Sequence, residues 1–252
     1  MYNMRPLQGS SVVETRTSGG LGALTYLRKV YALFTGGVAF AIAGGMVALY
    51  AGEPVKAELR VGVTVALPPL VAFAVEHYIL MMLVYFGAFF VASSMRRTPG
   101  LNLLALFGYT FVTGLFLAPS IFFAQLLASQ GGTLDPSPIR DAFLLTGAAF
   151  TGLTGYVFIS RKDFSFLGAS LSMGLWVVLG ALVLGMFVQS AVLSLAVASV
   201  GVLLFCGYIL YDTSRLLREP DADPVSGALR LFLDVVNLFV FLLRILSSSR
   251  SR

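Results

Sequence analysis

The sequence predicts an all-α polytopic membrane protein with six spans and a seventh segment that is a buried hairpin or short helix. Three observations carry this. The chain of 252 residues is 58% hydrophobic and 12% charged, and its mean hydropathy is +0.88. A soluble domain carries about twice that charged fraction, ~25%, and one soluble core of this length could not bury so much apolar surface. The apolar residues also fall in runs of span length, since about 20 helical residues cross the ~30 Å hydrocarbon layer. Basic residues lie in short clusters between the runs.

The runs cover 30–50, 67–94, 101–127, 142–160, 164–188, 191–211 and 228–246. The first is rich in small residues, with Gly36, Gly37, Gly44 and Gly45. The second is long and opens on Pro68 and Pro69. The fourth carries Gly147, Gly152 and Gly155. Such small residues let helix backbones approach inside a membrane. Ahead of the first run, residues 1–29 read as a flexible cytoplasmic tail. They have no early apolar core of the kind a cleaved signal peptide needs. Residues 30–246 form the bundle, and 247–252 a basic carboxyl-terminal tail.

Lys and Arg set the orientation. Arg5, Arg16, Arg28 and Lys29 precede span one, and Arg96 and Arg97 follow span two. Arg161 and Lys162 link spans four and five, and Arg215 and Arg218 follow span six. All share one side, which predicts a cytoplasmic amino terminus. The seventh run holds Asp234 and Asn237 at its middle, and Arg244, Arg250 and Arg252 follow. A short or re-entrant hairpin would return that basic end to the cytoplasm, and protein must surround such a segment. The net charge of +5 does not suggest nucleic acid as a partner, because a nucleic-acid face gathers its basic residues on one solvated element.

Chemistry-bearing residues are few. The single cysteine, Cys206, excludes an internal disulfide and reads as a buried, inert thiol. One histidine is too few for a histidine-based metal site. The phosphate-loop, nucleophile-elbow and His-Glu-x-x-His patterns are absent, so no enzyme and no cofactor is expected.

Asp212 and Asp234 stand apart, since an ionisable residue at membrane depth is costly unless paired or hydrated. The turn between them lies near Glu219 to Pro224, and at 1.5 Å per residue both carboxyls sit about 13–18 Å from it. Two antiparallel helices would bring them to one depth. Carboxyls in contact share a proton, and losing it would part the helices or recruit a hard cation such as Ca²⁺. Asp212 and Asp234 are thus candidate calcium ligands. A local helix-capping role for each stays open. Glu76 and His77 fall near the opposite interface as secondary candidates.

Particular stretches carry a family resemblance. Gly-Tyr-Ile-Leu-Tyr-Asp at 207–212 and Leu-Phe-Leu-Asp-Val-Val-Asn-Leu-Phe-Val-Phe-Leu-Leu-Arg at 231–244 resemble the Bax inhibitor, or lifeguard, family. Met95-Arg96-Arg97, Phe107 to Gly114 and Arg161 to Gly168 agree. The resemblance implies a six-helix bundle around a central seventh helix or re-entrant hairpin, and a pH-sensitive calcium leak. Asp212 and Asp234 would form its latch, with Arg96, or its neighbour Arg97, interacting with them. Its expected partners are calcium ions, protons and the lipid bilayer, and its expected place is a bacterial inner membrane. Other relatives suppress cell death or regulate a membrane protease. That gives a second reading, a non-conducting regulator of a protease or of another membrane protein.

Overall fold

The computed structural model describes residues 10–60, 63–129, 134–188, 190–219 and 223–250. Eight helices and one hairpin follow in order. They are α1 (Ser10–Tyr50), β1 (Val55–Arg60), β2 (Val63–Leu67), α2 (Pro69–Glu76), α3 (Tyr78–Met95), α4 (Leu101–Ala128), α5 (Ser137–Ser160), α6 (Gly168–Phe187), α7 (Ala191–Arg218) and α8 (Pro224–Arg250). A single 3-10 turn, Ser165–Leu167, leads into α6. Six of the helices, α1 and α3 to α7, are long and apolar enough to cross a membrane. Their outward faces carry large bare side chains such as Ile159 (88% exposed), Phe187 (82%) and Trp176 (73%). A continuous apolar collar of this kind exceeds the few hundred Å² that water tolerates. The chain is an integral membrane protein.

α8 holds the centre. It packs against α1, α4, α5 and α7, while α3 stands outside on α4 and α6 outside on α7. Its buried side chains run from Val225 through Leu231 and Phe232 to Leu238, Phe241 and Leu243.

The re-entrant hairpin is overturned, because α8 is one unbroken helix of 27 residues. It runs antiparallel along the whole of α7. Near its start, Gly227 faces Leu216 of α7. Further on, Gly201 of α7 faces the Phe241 ring, and a Cβ there would lie 2.6 Å from ring carbons. At the far end Arg244 Nε donates to Ser194 Oγ at 2.8 Å, one turn into α7. At 1.5 Å per residue α8 is about 40 Å long. α8 therefore lies alongside α7, although it is not among the six helices that are long and apolar enough to cross by composition.

Four other expectations change. The tail predicted over 1–29 is helical from Ser10, because no proline intervenes between Pro6 and the apolar run; residues 1–9 lie outside the described residues. Tyr26 is buried in the core, so the bundle begins before residue 30. The tail predicted over 247–252 is helical through Arg250, and Ser247 is buried with its hydroxyl on the Leu243 carbonyl.

The second run is two helices, broken at His77. It is preceded by an antiparallel hairpin that pairs Val55 with Leu67, where Val63, Thr64 and Val65 supply the β-branched residues strands favour. Finally, Cys206 is half-buried rather than buried.

Glycine does its packing work mainly between α1 and α4. A Cβ on Gly114 would strike the Ala41 carbonyl, and one on Gly44 the Phe111 carbonyl. At Gly147, Gly152 and Gly155 a Cβ would meet nothing within 4 Å, so those three do not mark a close approach.

The basic clusters gather at one end of the bundle. Arg218 reaches the Arg161 carbonyl at 3.2 Å and the Asp163 carboxylate at 3.4 Å, which ties the α5–α6 link to the end of α7. Bonds from the Ser165 backbone N–H and hydroxyl, with Arg218 beside them, hold the Asp163 carboxyl below the usual carboxylate range. Ala92, near the end of α3, shares a buried cluster with Tyr26, Val30 and Leu216, so Arg96 and Arg97 belong to that end too. Ala124, Ala142 and Leu243 cluster at the other.

Two outcomes follow. Gly114→Ala should cost about 1–3 kcal/mol in thermal unfolding of the detergent-solubilised protein, as overpacking does. Gly108→Ala, with open space around it, should change stability by less than ~0.5 kcal/mol. With α8 crossing, tags before Met1 and after Arg252 should be accessible from opposite faces of sealed vesicles; protection of both from one face would contradict a spanning α8.

Candidate functional site

Among the described residues, the only acidic ones with buried side chains are Asp212 and Asp234, each 5% exposed. Asp212 sits in the last third of α7, Asp234 in the first half of α8, and the two carboxyls lie close enough to interact electrostatically. The antiparallel arrangement sets their common depth. Phe205 and Ile209 on α7, with Leu231 and Leu238 on α8, exclude water above and below.

The cation at the site is Arg230. Its Nε lies 3.3 Å from Asp212 Oδ1, close enough to pair, though neither atom makes a well-aligned hydrogen bond. Arg230 precedes Asp234 by four residues and so stands on the same face of α8. Arg215 and Glu219 of α7 lie farther along, and their side chains bond each other at 2.9 Å.

The other expected residues lie elsewhere. Arg96 ends α3 with an exposed side chain and makes no ion pair among the described residues; Arg97 is exposed beside it. Asn237 is half-buried, with its Nδ2 donating to the Leu233 carbonyl of its own helix at 2.8 Å. Glu76 and His77 are exposed at the α2–α3 break, where the His77 ring meets Phe73 edge-on at 4.6 Å between centroids. The structure thus gathers Asp212 and Asp234 and leaves the rest of the expected set apart. The arginine missed was legible: the i,i+4 pair Arg230–Asp234 within an apolar helix is a signal in its own right.

Around the pair is a set of polar atoms with unfinished bonding. Buried and without a well-formed partner are Tyr26 Oη, Tyr31 Oη, Thr154 Oγ1 and Thr213 Oγ1, together with Asp212 Oδ1, Arg230 Nε and Asp234 Oδ2. They are contiguous. Tyr26 lies near Arg230, and the Tyr31 hydroxyl approaches those of Thr154 and Thr213, the residue after Asp212. Folded cores leave few such atoms, and a cluster of them asks for an explanation. Here the unsatisfied atoms come from α1, α5, α7 and α8.

A resident calcium does not fit the aspartate pair alone. Ca²⁺ takes 6–8 oxygens, but no group of three or more acidic, histidine or cysteine side chains that could hold a metal occurs among the described residues. The Arg230 guanidinium also occupies one side of the pair.

Comparison with known proteins gives one consistent result. A family model described as inhibitor of apoptosis-promoting Bax1 matches residues 23–251. An uncharacterized protein of Campylobacter jejuni is 36% identical over 227 residues, 90% of each chain. The Golgi anti-apoptotic protein of vaccinia virus (strain Lister) is 36% identical over 167 residues, 66% of each chain. Bax inhibitor 1 of Schizosaccharomyces pombe is 31% identical over 227 residues, 88% of this chain and 76% of that one.

The pairing of Asp212 with Arg230 predicts energetic coupling. In a double-mutant cycle, Arg230→Ala and Asp212→Asn should interact by about 1–3 kcal/mol in unfolding free energy, as groups in one network do. Arg96→Ala with Asp212→Asn should add to within ~0.5 kcal/mol. The reverse pattern would return Arg96 to the site.

Proposed function

The chain belongs to the Bax inhibitor family, and on that premise we propose that it is a pH-sensitive calcium leak whose gate is the Asp212–Asp234 pair. The observation that carries this is the contact of two buried carboxyls from neighbouring helices with one guanidinium beside them. With one proton shared between the carboxyls, the three groups sum to zero charge. That is the state a low-dielectric interior accepts. Removing the proton leaves a net negative charge and two carboxylates in contact, whose repulsion is strong where water is scarce.

The helices have little slack to absorb that force. Gly201 lies against the Phe241 ring and Gly227 against Leu216. A packed interface responds by switching between arrangements rather than by stretching, so the protonation state of the pair sets closed against open. The unpaired hydroxyls of Tyr31, Thr154 and Thr213 offer the neutral oxygens a hard cation needs while it sheds water. Calcium is therefore cargo, met in passing by carboxylate and hydroxyl oxygens. The basic end of the bundle faces the cytoplasm by the positive-inside rule, which puts the amino terminus inside. A bacterial inner membrane is the proposed location.

The second reading is a non-conducting regulator of a membrane protease or cell-death complex. The name of the vaccinia relative, an anti-apoptotic protein, favours it. In that reading the neutral Asp–Asp–Arg cluster only fixes the bundle.

One assay separates the two. Purified protein in liposomes loaded with a calcium-sensitive dye should pass calcium at a rate that changes with pH. Asp234→Asn cannot exchange a proton with Asp212, so its flux should no longer follow pH. An unchanged pH profile in Asp234→Asn would remove the pair as the gate, and flux equal to empty vesicles would favour the regulator.

A further inference from the structure

At the end of the bundle away from the aspartates, a cavity of about 260 Å³ opens between the end of α6, the start of α7 and Arg244 of α8. It is smaller than the ~300–1,000 Å³ pockets that enclose whole small molecules, so it receives a chemical group rather than a complete ligand. Leu182 and Val197 supply apolar wall, Ser190 and Ser194 supply hydroxyls, and Arg244 supplies the only charge.

Arg244 is held rather than loose. Its Nε donates to Ser194 Oγ at 2.8 Å, which fixes the guanidinium plane. Its two terminal nitrogens have no protein partner among the described residues. They form the bidentate fork that suits phosphate oxygens. The start of α7 contributes no free donor of its own to this reading at Leu193, whose N–H is already taken by Ser190 Oγ at 3.3 Å.

The setting chooses among phosphates. The cavity lies where the apolar spans of α6 and α7 end, at Phe187 and Ala191, which is headgroup depth. Around it Phe187 (82% exposed) and Val192 (76%) point outward, a surface for acyl chains and not for a free ion. No acidic side chain lines the cavity, so nothing there would receive the cation of a choline headgroup.

We propose that the α6–α7–α8 cavity is a site for an anionic phospholipid, its phosphate bound by the terminal nitrogens of Arg244 and its acyl chain lying along α6. Arg244 lies beyond Asp234 on α8 by about 15 Å of helix axis, and the site does not depend on whether the protein conducts.

The test is native mass spectrometry of the full chain released from detergent with phosphatidylglycerol or phosphatidylcholine of matched acyl chains. Wild-type protein should retain phosphatidylglycerol about tenfold more than phosphatidylcholine, since both present the phosphate but only phosphatidylcholine brings a second cation beside Arg244, with no acidic side chain there to receive it. Arg244→Ala should lose that preference. Arg140→Ala, which removes an arginine paired with Asp141, should keep it. Ala181→Phe leaves the arginine intact but fills the cavity, and should lose the preference as well, which covers the case of Arg244→Ala failing to fold. Retention of the preference by both Arg244→Ala and Ala181→Phe would overturn the site. Equal retention of the two lipids by wild-type protein would overturn the anionic selectivity, and displacement of phosphatidylglycerol by excess inorganic phosphate would overturn the lipid as ligand.

Discussion

The contact between Asp212 and Asp234 is the constraint to which the rest of the bundle answers. Ionisable groups at membrane depth are admitted only when protein or water surrounds them and when their charges cancel. Both conditions shape the fold. Arg230, one turn before Asp234 on α8, supplies the cancelling charge. α1, α4, α5 and α7 supply the surround. A helix bearing an arginine, an aspartate and an asparagine within eight residues has no place facing lipid, so α8 must be central and its neighbours must close on it.

Those neighbours close by small residues and aromatic faces, since helices in lipid gain nothing from the hydrophobic effect. Gly44 and Gly114 bring the backbones of α1 and α4 together. Phe34 lies against Phe150, with ring centroids 4.9 Å apart, across α1 and α5. The Phe205–Phe241 stack, at 5.9 Å, joins α7 to α8 away from the aspartates.

Much of this was legible beforehand, and the misses have specific causes. Apolar runs of span length located six crossing helices because bilayer thickness dictates their size. Asp212 and Asp234 were found because charge inside an apolar run is rare. The seventh run was misread through its polar residues: counting Asp234 and Asn237 against a crossing assumes a lipid-facing helix, whereas a helix wrapped in protein has no such limit. Arg230 was missed because it sits at the edge of that run, where arginine looks like an interfacial anchor, and only its spacing to Asp234 says otherwise. The β1–β2 hairpin and the His77 break were merged into one run because the prolines were read as a helix start alone. The Tyr31–Thr154–Thr213 convergence joins three distant segments, and no local pattern announces it.

The position of α8 carries a consequence for how the molecule is made. The helix that fills the centre of the bundle lies after all the others in the chain, so synthesis delivers the wall before the core. Until α8 leaves the ribosome, α1, α4, α5 and α7 share no common partner, and Asp212 waits in its helix without the proton-sharing carboxyl or the guanidinium that makes its burial tolerable. Insertion of α8 is therefore the step that joins α1, α4, α5 and α7 to one shared helix and brings Asp212 its counter-charge.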